Sequence, residues 1–171
     1  MKQSNVFRDL IAARFTELLL KGAPKHGKLV DVGANYGNFF NSYKIKIGLD
    51  IVAFEPNASL HSNHGSNFSW VEKAVSNFSG EMEFYVDSNH TGSSSLIPKK
   101  NHNESFKVEV TTLDTYFERL DKRISAIKID VEGSEVSVLT GSLKLISKHR
   151  PVLAIETERA TLSAIIKILP G

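Results

Sequence analysis

The turn between residues 31 and 37 is the part of the sequence best suited to hold a ligand. An apolar run leads into Gly33 and Gly37, with Asn35 between them. Glycine and asparagine tolerate left-handed backbone geometry, so the chain can turn sharply there. The helix that follows points its first N–H groups at whatever lies over the turn. The pattern predicts a nucleotide-like ligand; the alternative is a strand-to-helix turn with no ligand role.

The spacing within this turn argues against two common phosphate-binding motifs. A dinucleotide motif needs glycine at positions 33, 35 and 38, where this chain has Gly33, Asn35 and Asn38. A Walker motif would need Gly-Lys-Ser or Gly-Lys-Thr, which does not follow. Asp31 lies two residues before the first glycine, and an acid there repels phosphate but suits a cation. We therefore expect S-adenosylmethionine, with its ammonium near Asp31 or the turn carbonyls, rather than a nicotinamide dinucleotide.

A second acid lies where a ribose would be bound. Glu55 follows the next apolar run, residues 51–54. In doubly wound nucleotide-binding folds, an acid at the tip of the second strand accepts hydrogen bonds from ribose hydroxyls. Most acids at strand ends are simply solvated. The binding role of Glu55 is supported by its position at the end of the strand that follows the glycine turn.

Three carboxylates that follow later strands are candidates for catalysis. Asp130 and Glu132 follow the run 126–129, and Glu156 follows the run 152–155. Carboxyl ends of parallel strands meet at one crevice, where a carboxylate can accept a proton from a hydroxyl or hold it for in-line attack. Two alternatives stay open. Such carboxylates can also bind a divalent cation, or they can stabilise a helix whose N-terminus lies beside them.

The elements that position these residues alternate between strand and helix. Apolar runs predict strands at 28–32, 51–54, 68–75, 124–129 and 151–155, and helical periodicity predicts helices at 38–46, 113–120 and 134–145. Alternating segments at 81–86 and 106–111 predict an antiparallel hairpin. The order predicts an α/β fold with a doubly wound, mostly parallel sheet and that hairpin inserted. We expect one domain over 1–171: an N-terminal amphipathic helix (1–22), a core (28–156) and a short C-terminal segment (157–171).

Composition excludes several classes of function. The 171 residues have a hydrophobic fraction of 41%, typical of one soluble domain, and a formal charge of +2, which gives no reason to expect nucleic acid as a partner. No cysteine is present, so disulfides and thiolate metal sites are excluded. His61 and His64 have no third ligand nearby, so no metal site is predicted. Charged residues interrupt the N-terminal helix; we expect no membrane span and a cytoplasmic location.

These motifs together resemble FkbM-type S-adenosylmethionine-dependent methyltransferases. The resemblance runs from Lys28 to Glu156 and rests on ordered segments: Asp31-Val-Gly-Ala-Asn-Tyr-Gly37, Phe54-Glu-Pro56, Ala74-Val-Ser76, Ser93-Ser-Ser-Leu96, Val110-Thr-Thr-Leu-Asp114 and Ile127-Lys-Ile-Asp-Val-Glu-Gly-Ser-Glu135. It implies a Rossmann-like class I methyltransferase fold and methyl transfer to a hydroxyl oxygen of a small molecule, sugar or glycan. It also implies that the cofactor is bound by Asp31, Gly33, Ala34, Asn35, Gly37, Glu55, Pro56, Ala74 and Asp130.

One departure from the family pattern suggests a second hypothesis. The fold normally continues past the fifth core strand with a helix and a final strand pair, whereas residues 157–171 have room for one short helix. We expect the strand pair to be lacking and the strand near 152–155 to form an exposed sheet edge, through which copies of the chain could associate. The alternative function is a truncated, non-catalytic methyltransferase-like binding or interaction domain. A polar insertion over 87–103 is expected to select the acceptor. Within it, His90 and His102 are candidate bases, and the resemblance makes residues 93–95 candidates for the edge of the pocket.

Overall fold

In a computed structural model of the protein, the described residues are 14, 27–39, 49–66 and 68–169. The predicted helix over 1–22 lies outside them except for residue 14, and only residues 38 and 39 of the predicted helix over 38–46 are described. None of the helices in these ranges is long and apolar enough to cross a membrane. The division of the chain into one domain with three parts stays a prediction.

The described chain has six strands before its first complete α-helix, and strands and helices alternate from residue 104 onward. The strands are β1 (Lys28–Val32), β2 (Asp50–Phe54), β3 (Phe68–Val71), β4 (Ala74–Val75), β5 (Gly80–Val86), β6 (Glu104–Thr111), β7 (Ile124–Ile129) and β8 (Val152–Ile155). The α-helices are α1 (Leu113–Tyr116), α2 (Glu135–Thr140), α3 (Leu143–His149) and α4 (Leu162–Ile168). Short 3-10 helices occupy Ala58–Leu60 and Thr91–Ser93.

Five strands form a parallel sheet in the order β3-β2-β1-β7-β8. The chain winds outward from β1 to β3 and then returns to the other side of β1, so the strand order reverses between β1 and β7. Side chains of β1 and β7 are buried on both faces because parallel strands in α/β proteins are covered on both sides. This sheet and the hairpin below confirm the predicted α/β class.

The two faces of this sheet pack separate apolar clusters. The larger contains Val30, Phe54 and Ile127 and is covered by residues of α1 to α4, including Leu113 and Leu139. The smaller contains Leu29, Leu49, Ile51 and Ala126, with Phe39 and Phe68 packed against it. Because side chains alternate along a strand, Asp31 and Lys128 lie on the same face as Leu29 and Ala126.

The predicted hairpin belongs to a second sheet of its own. β5 and β6 pair antiparallel, and β6 also pairs parallel with β4. The prediction of one continuous strand over 68–75 is therefore wrong, because the chain forms two strands there, β3 and β4. The N–H of Lys73 donates to the carbonyl of Val71 at 2.8 Å, which makes a tight turn and sends β4 into the second sheet.

The predicted helix over 134–145 is also divided, between α2 and α3 at Gly141 and Ser142. A Cβ at Gly141 would collide with the backbone of Ser76 and lie 3.0 Å from the Cα of Asn77. The helix therefore ends where it meets the segment after β4. Beyond Ile155, the described residues form α4 and no further strand. β8 forms the last strand of its sheet, and association through its edge stays a prediction.

Candidate active site

A cavity of about 680 Å³ opens at the carboxyl ends of β1, β2 and β7. Open α/β sheets bind ligands at this edge, in the crevice where strand order reverses. Here that reversal falls between β1 and β7. The volume is within the range of small-molecule sites. Residues from the second sheet and from the 87–103 insertion form the opposite wall.

The turn after β1 is held in a fixed shape by backbone contacts. Gly33, Asn35 and Gly37 all have positive φ, at 72°, 50° and 70°. The N–H groups of Gly33 and Ala34 both donate to the carbonyl of Phe54, at 3.1 Å. A Cβ on Gly33 would collide with the carbonyl oxygen of Asp130, so glycine is what lets the turns after β1 and β7 approach closely.

Glu55 connects that turn to the turn after β2. One carboxylate oxygen accepts from the N–H of Asn35 and the other from the N–H of Asn57, each at 2.9 Å. Burial raises the pKa of Glu55, although these two hydrogen bonds oppose the shift. Each carboxylate oxygen has a further lone pair, so Glu55 can still accept from a ligand hydroxyl.

Two histidines contact backbone carbonyls of the turns after β1 and β2. The Nε2 of His61 lies 2.8 Å from the carbonyl oxygen of Glu55, and the Nε2 of His64 lies 2.7 Å from that of Tyr36. The ring of His61 stacks on Trp70 at 4.4 Å. These contacts explain the two histidines as structural supports. No group of three or more His, Cys, Asp or Glu side chains that could hold a metal ion is found in the described part of the chain.

A buried ion cluster lies where β1 and β7 pair. Asp31 and Lys128 are register partners, with Lys128 Nζ 3.2 Å from Asp31 Oδ1 and 3.4 Å from Asp130 Oδ2. Lys128 Nζ also donates to the carbonyl of Gly33 at 2.8 Å. Burial raises the pKa of Asp31, against the charge of Lys128. Burial alone would lower the pKa of Lys128, but the two acids outweigh it and raise that pKa.

The acids after β7 and β8 lie near each other. Asp130, Glu132 and Glu156 line the main cavity and also an adjoining one of about 220 Å³. Lys99 reaches Glu132 from the insertion, with a 2.7 Å ion pair. Glu132 has a left-handed backbone, with φ of 56°. The insertion is thus attached directly to a predicted catalytic carboxylate.

The 87–103 insertion is ordered by a buried acid. Asp87 accepts hydrogen bonds from the backbone N–H groups of Asn89 and His90 and from the side chains of Ser93 and Asn101. The hydrogen bond from Asn101, foremost among these, lowers the pKa of Asp87. This network gives the insertion a defined shape and places polar groups on the cavity wall: Ser88, Asn89, His90, Thr91, Ser94 and Ser95.

Most of the residues predicted for the site share the cavity. Its lining includes Gly33, Ala34, Asn35, Glu55, Pro56, Ala74, Asp130, Glu132 and Glu156. Asp31 is fully buried behind the lining, against Lys128. Gly37 faces His64 and Phe68 instead of the cavity. His90 lines the cavity, whereas His102 lies behind Ser93.

Sequence reasoning missed Lys128, although a signal was present. It is the one charged residue in the six-residue run Ile124–Ile129, which is buried throughout. A lysine inside a buried strand needs a partner charge, and the acid of the glycine motif was available. Tyr36, Phe39 and Phe84 also line the cavity and were not predicted there, because single aromatic residues are more often core residues.

Comparisons with known proteins identify the family. The methyltransferase FkbM domain matches residues 31–169. A solved methyltransferase FkbM from Methylobacillus flagellatus KT shares the fold with a TM-score of 0.55 and 23% identity, over 85% of this chain and 38% of that one. No curated protein matches the chain significantly. The resemblance drawn from the sequence motifs is confirmed, and the protein belongs to the FkbM methyltransferase domain family.

Proposed function

We propose that the protein transfers a methyl group from S-adenosylmethionine to a hydroxyl oxygen. One observation carries the proposal: a single cavity brings together the glycine turn, Glu55, and the carboxylates of Asp130, Glu132 and Glu156. Family membership supports a methyltransferase role. The chain spans 38% of the related solved chain, so the cofactor and the acceptor are part of the proposal.

The charges on the cavity wall suit this cofactor. Four carboxylates line it, against two lysines, Lys73 and Lys128. Both lysines are ion-paired, Lys73 with Glu109 and Lys128 with Asp31 and Asp130, and Lys99 from the insertion pairs with Glu132. Such a wall disfavours a phosphate-bearing dinucleotide and favours a ligand with positive groups. When bound, S-adenosylmethionine would supply an activated methyl group. Glu55 would hold its ribose hydroxyls, and Ala74 and Pro56 would lie against its base.

The remaining carboxylates are the proposed catalytic groups. Asp130, Glu132 and Glu156 would hold the acceptor hydroxyl in line with the methyl group and receive its proton as the oxygen attacks. Positioning is expected to contribute most, since methyl transfer is a direct displacement. The hydroxyl and amide groups on the insertion fit an acceptor that carries several hydroxyls, such as a small molecule, sugar or glycan.

Calorimetry with S-adenosylhomocysteine tests the cofactor. Wild-type protein should bind it, and Glu55→Gln should weaken binding at least tenfold, because the NH2 group that replaces one carboxylate oxygen then faces a backbone N–H donor. Glu81→Gln, on an exposed position of β5, is the matched control and should bind as wild type does. Absence of binding to the wild-type protein would refute the cofactor assignment.

Turnover separates the enzyme from the non-catalytic alternative. Release of S-adenosylhomocysteine from S-adenosylmethionine can be followed with a panel of sugars, glycans and hydroxylated small molecules. The proposed enzyme should release it with at least one acceptor, and Glu156→Gln should slow release more than it weakens cofactor binding. Tight binding without turnover across the panel would favour a binding domain.

A further inference from the structure

Lys128 makes contacts that strand stability alone does not require. Its Nζ lies within 3.4 Å of Asp31 and Asp130 and donates to the carbonyl of Gly33 at 2.8 Å. The side chain is nine-tenths buried and packs 5.6 Å above the ring of Phe39. Replacing a buried ion pair with apolar side chains is often neutral or stabilising in proteins. The charge is therefore better explained by what it holds in place.

The arrangement changes which acid a ligand would meet. Asp31 has no exposed surface and does not line the cavity, and neither of its oxygens receives a directed hydrogen bond from a described residue. Asp130 is partly exposed and lines the cavity. Lys128 lies between the two acids. It balances the charge of Asp31 inside the sheet and leaves Asp130 as the acid at the surface.

Sheet geometry separates the two ends of the site. Glu55 follows β2 and Asp130 follows β7, with the turn after β1 between them. Adjacent strands lie about 4.8 Å apart, so these two acids are roughly 10 Å apart across the sheet edge. A ligand whose ribose is held at Glu55 would extend over the glycine turn and place its other end beside Asp130 and Lys128.

We propose that Lys128 is a positioning residue for the amino-acid end of the cofactor: it fixes the Gly33 carbonyl and the Asp130 carboxylate so that both face the ligand's ammonium group. This rests on the proposed function, and it replaces Asp31 with Asp130 as the acid nearest that group. Asp31 serves as the buried counter-charge that keeps Lys128 in the strand.

Two variants separate positioning from simple stability. Lys128→Met removes the charge and leaves Asp31 buried without a partner. Asp31→Asn with Lys128→Met removes both charges and restores neutrality at the β1–β7 pair. Lys28→Met is the matched control. Lys28 is likewise a lysine in a strand with an ion-pair partner, Asp50, but it lies at the amino end of β1, away from the cavity. Urea unfolding should first show that each variant is folded and how stable it is.

Two probes report on the two ends of the ligand. S-adenosylhomocysteine carries the ammonium and carboxylate groups, whereas 5′-methylthioadenosine has the adenosine part and lacks both. In the double variant we expect at least a tenfold loss of affinity for the first probe and less than a twofold loss for the second. Lys28→Met should change neither affinity by more than twofold.

The outcomes are distinguishable. A double variant that binds both probes as wild type does would overturn the positioning role of Lys128 and leave the proposed function standing. Equal loss for both probes would also overturn it, because the effect would then be a general disturbance of the site. Wild-type protein that fails to bind S-adenosylhomocysteine would instead refute the proposed function itself. If Lys128→Met fails to fold, the double variant alone decides.

Discussion

At the scale of single residues, the site depends on how buried charges are compensated. Glu55 is 5% exposed and keeps both carboxylate oxygens hydrogen-bonded to backbone N–H groups. Asp31 has only the nearby ammonium of Lys128, without a directed hydrogen bond from a described residue. A buried carboxylate in that situation depends on its ion pair, since an unpaired charge in the interior costs several kcal/mol.

The Asp31–Lys128 pair makes a prediction about stability and pH. Lys128→Met should lower the free energy of unfolding by about 3–5 kcal/mol at pH 7, and the Asp31→Asn, Lys128→Met double variant should recover most of it. The pKa of Lys128 is raised in the folded state. Its stabilising effect is therefore complete below the ordinary lysine pKa of about 10.4 and is lost as pH rises through the raised value.

Urea titrations between pH 8 and pH 11.5 measure this effect. The wild-type protein should lose stability at the alkaline end more steeply than the double variant, in which neither group titrates. Tyrosine ionisation is common to both proteins and cancels in the comparison. Parallel curves would contradict the assignment of a charged Lys128 to the interior.

At the scale of elements, two loops shape the cavity by different means. The turn after β1 relies on backbone geometry, since three of its residues have positive φ and Gly33 lies against the carbonyl of Asp130. The 87–103 insertion relies on side-chain hydrogen bonds that converge on Asp87. An added Cβ should therefore destabilise the turn after β1, and loss of the Asp87 carboxylate should destabilise the insertion.

Gly33→Ala tests the glycine turn. The added Cβ would meet the backbone of Asp130 and would also force alanine into left-handed geometry. We expect the free energy of unfolding to fall by at least about 3 kcal/mol, measured by urea denaturation. Gly92→Ala is the control, because a Cβ there meets only the His90 ring at 3.5 Å. Similar losses in the two variants would refute this account.

Asp87→Ala tests the insertion. The N–H of Asn89 loses the Asp87 carboxylate to which it donates, and we expect its hydrogen exchange to accelerate roughly tenfold. The N–H groups of β1 should exchange at the wild-type rate. Because the folded pKa of Asp87 is lowered, the ordering effect is present above the ordinary aspartate pKa and is lost as pH falls through the lowered value. Unchanged exchange at Asn89 would contradict the role of Asp87.

At the scale of the whole molecule, the two sheets meet through the helical layer. Gly141, at the end of α2, lies against the backbone of Ser76 just after β4. The N–H of Ser76 donates to the carbonyl of Thr111 at the end of β6. The second sheet supplies one wall of the cavity, so the site depends on this contact even though Gly141 is outside the lining.

Gly141→Ala should loosen that contact. The φ of Gly141 is −78°, which alanine adopts freely, so any effect arises from packing against Ser76 and Asn77. We expect a loss of about 1–3 kcal/mol in the free energy of unfolding, with Ser137→Ala in the same helix as the control. Trp70 fluorescence, which reports on the parallel sheet, can be compared with circular dichroism of the whole chain. Coincident transitions would show that the sheets unfold together.

The sequence by itself determined the parallel sheet and most of the residues at its ligand-binding edge. The run ending at Val32, the turn at Gly33 and the acids Glu55 and Asp130 are local patterns. Their meeting at one edge follows because carboxyl ends of parallel strands lie side by side. The order of these motifs was also sufficient to identify the family.

Only the tertiary structure decided which of these acids faces the cavity. Residue alternation places Asp31 on one face of its strand, but the identity of the residue across from it depends on the pairing of β1 with β7. That pairing puts Lys128 opposite Asp31 and withdraws Asp31 from the surface. The turn at Lys73 and the hydrogen bonds of Asp87 join residues at most 14 apart in the chain. Which polar groups pair there depends on the folded path of the backbone, which local sequence patterns do not encode.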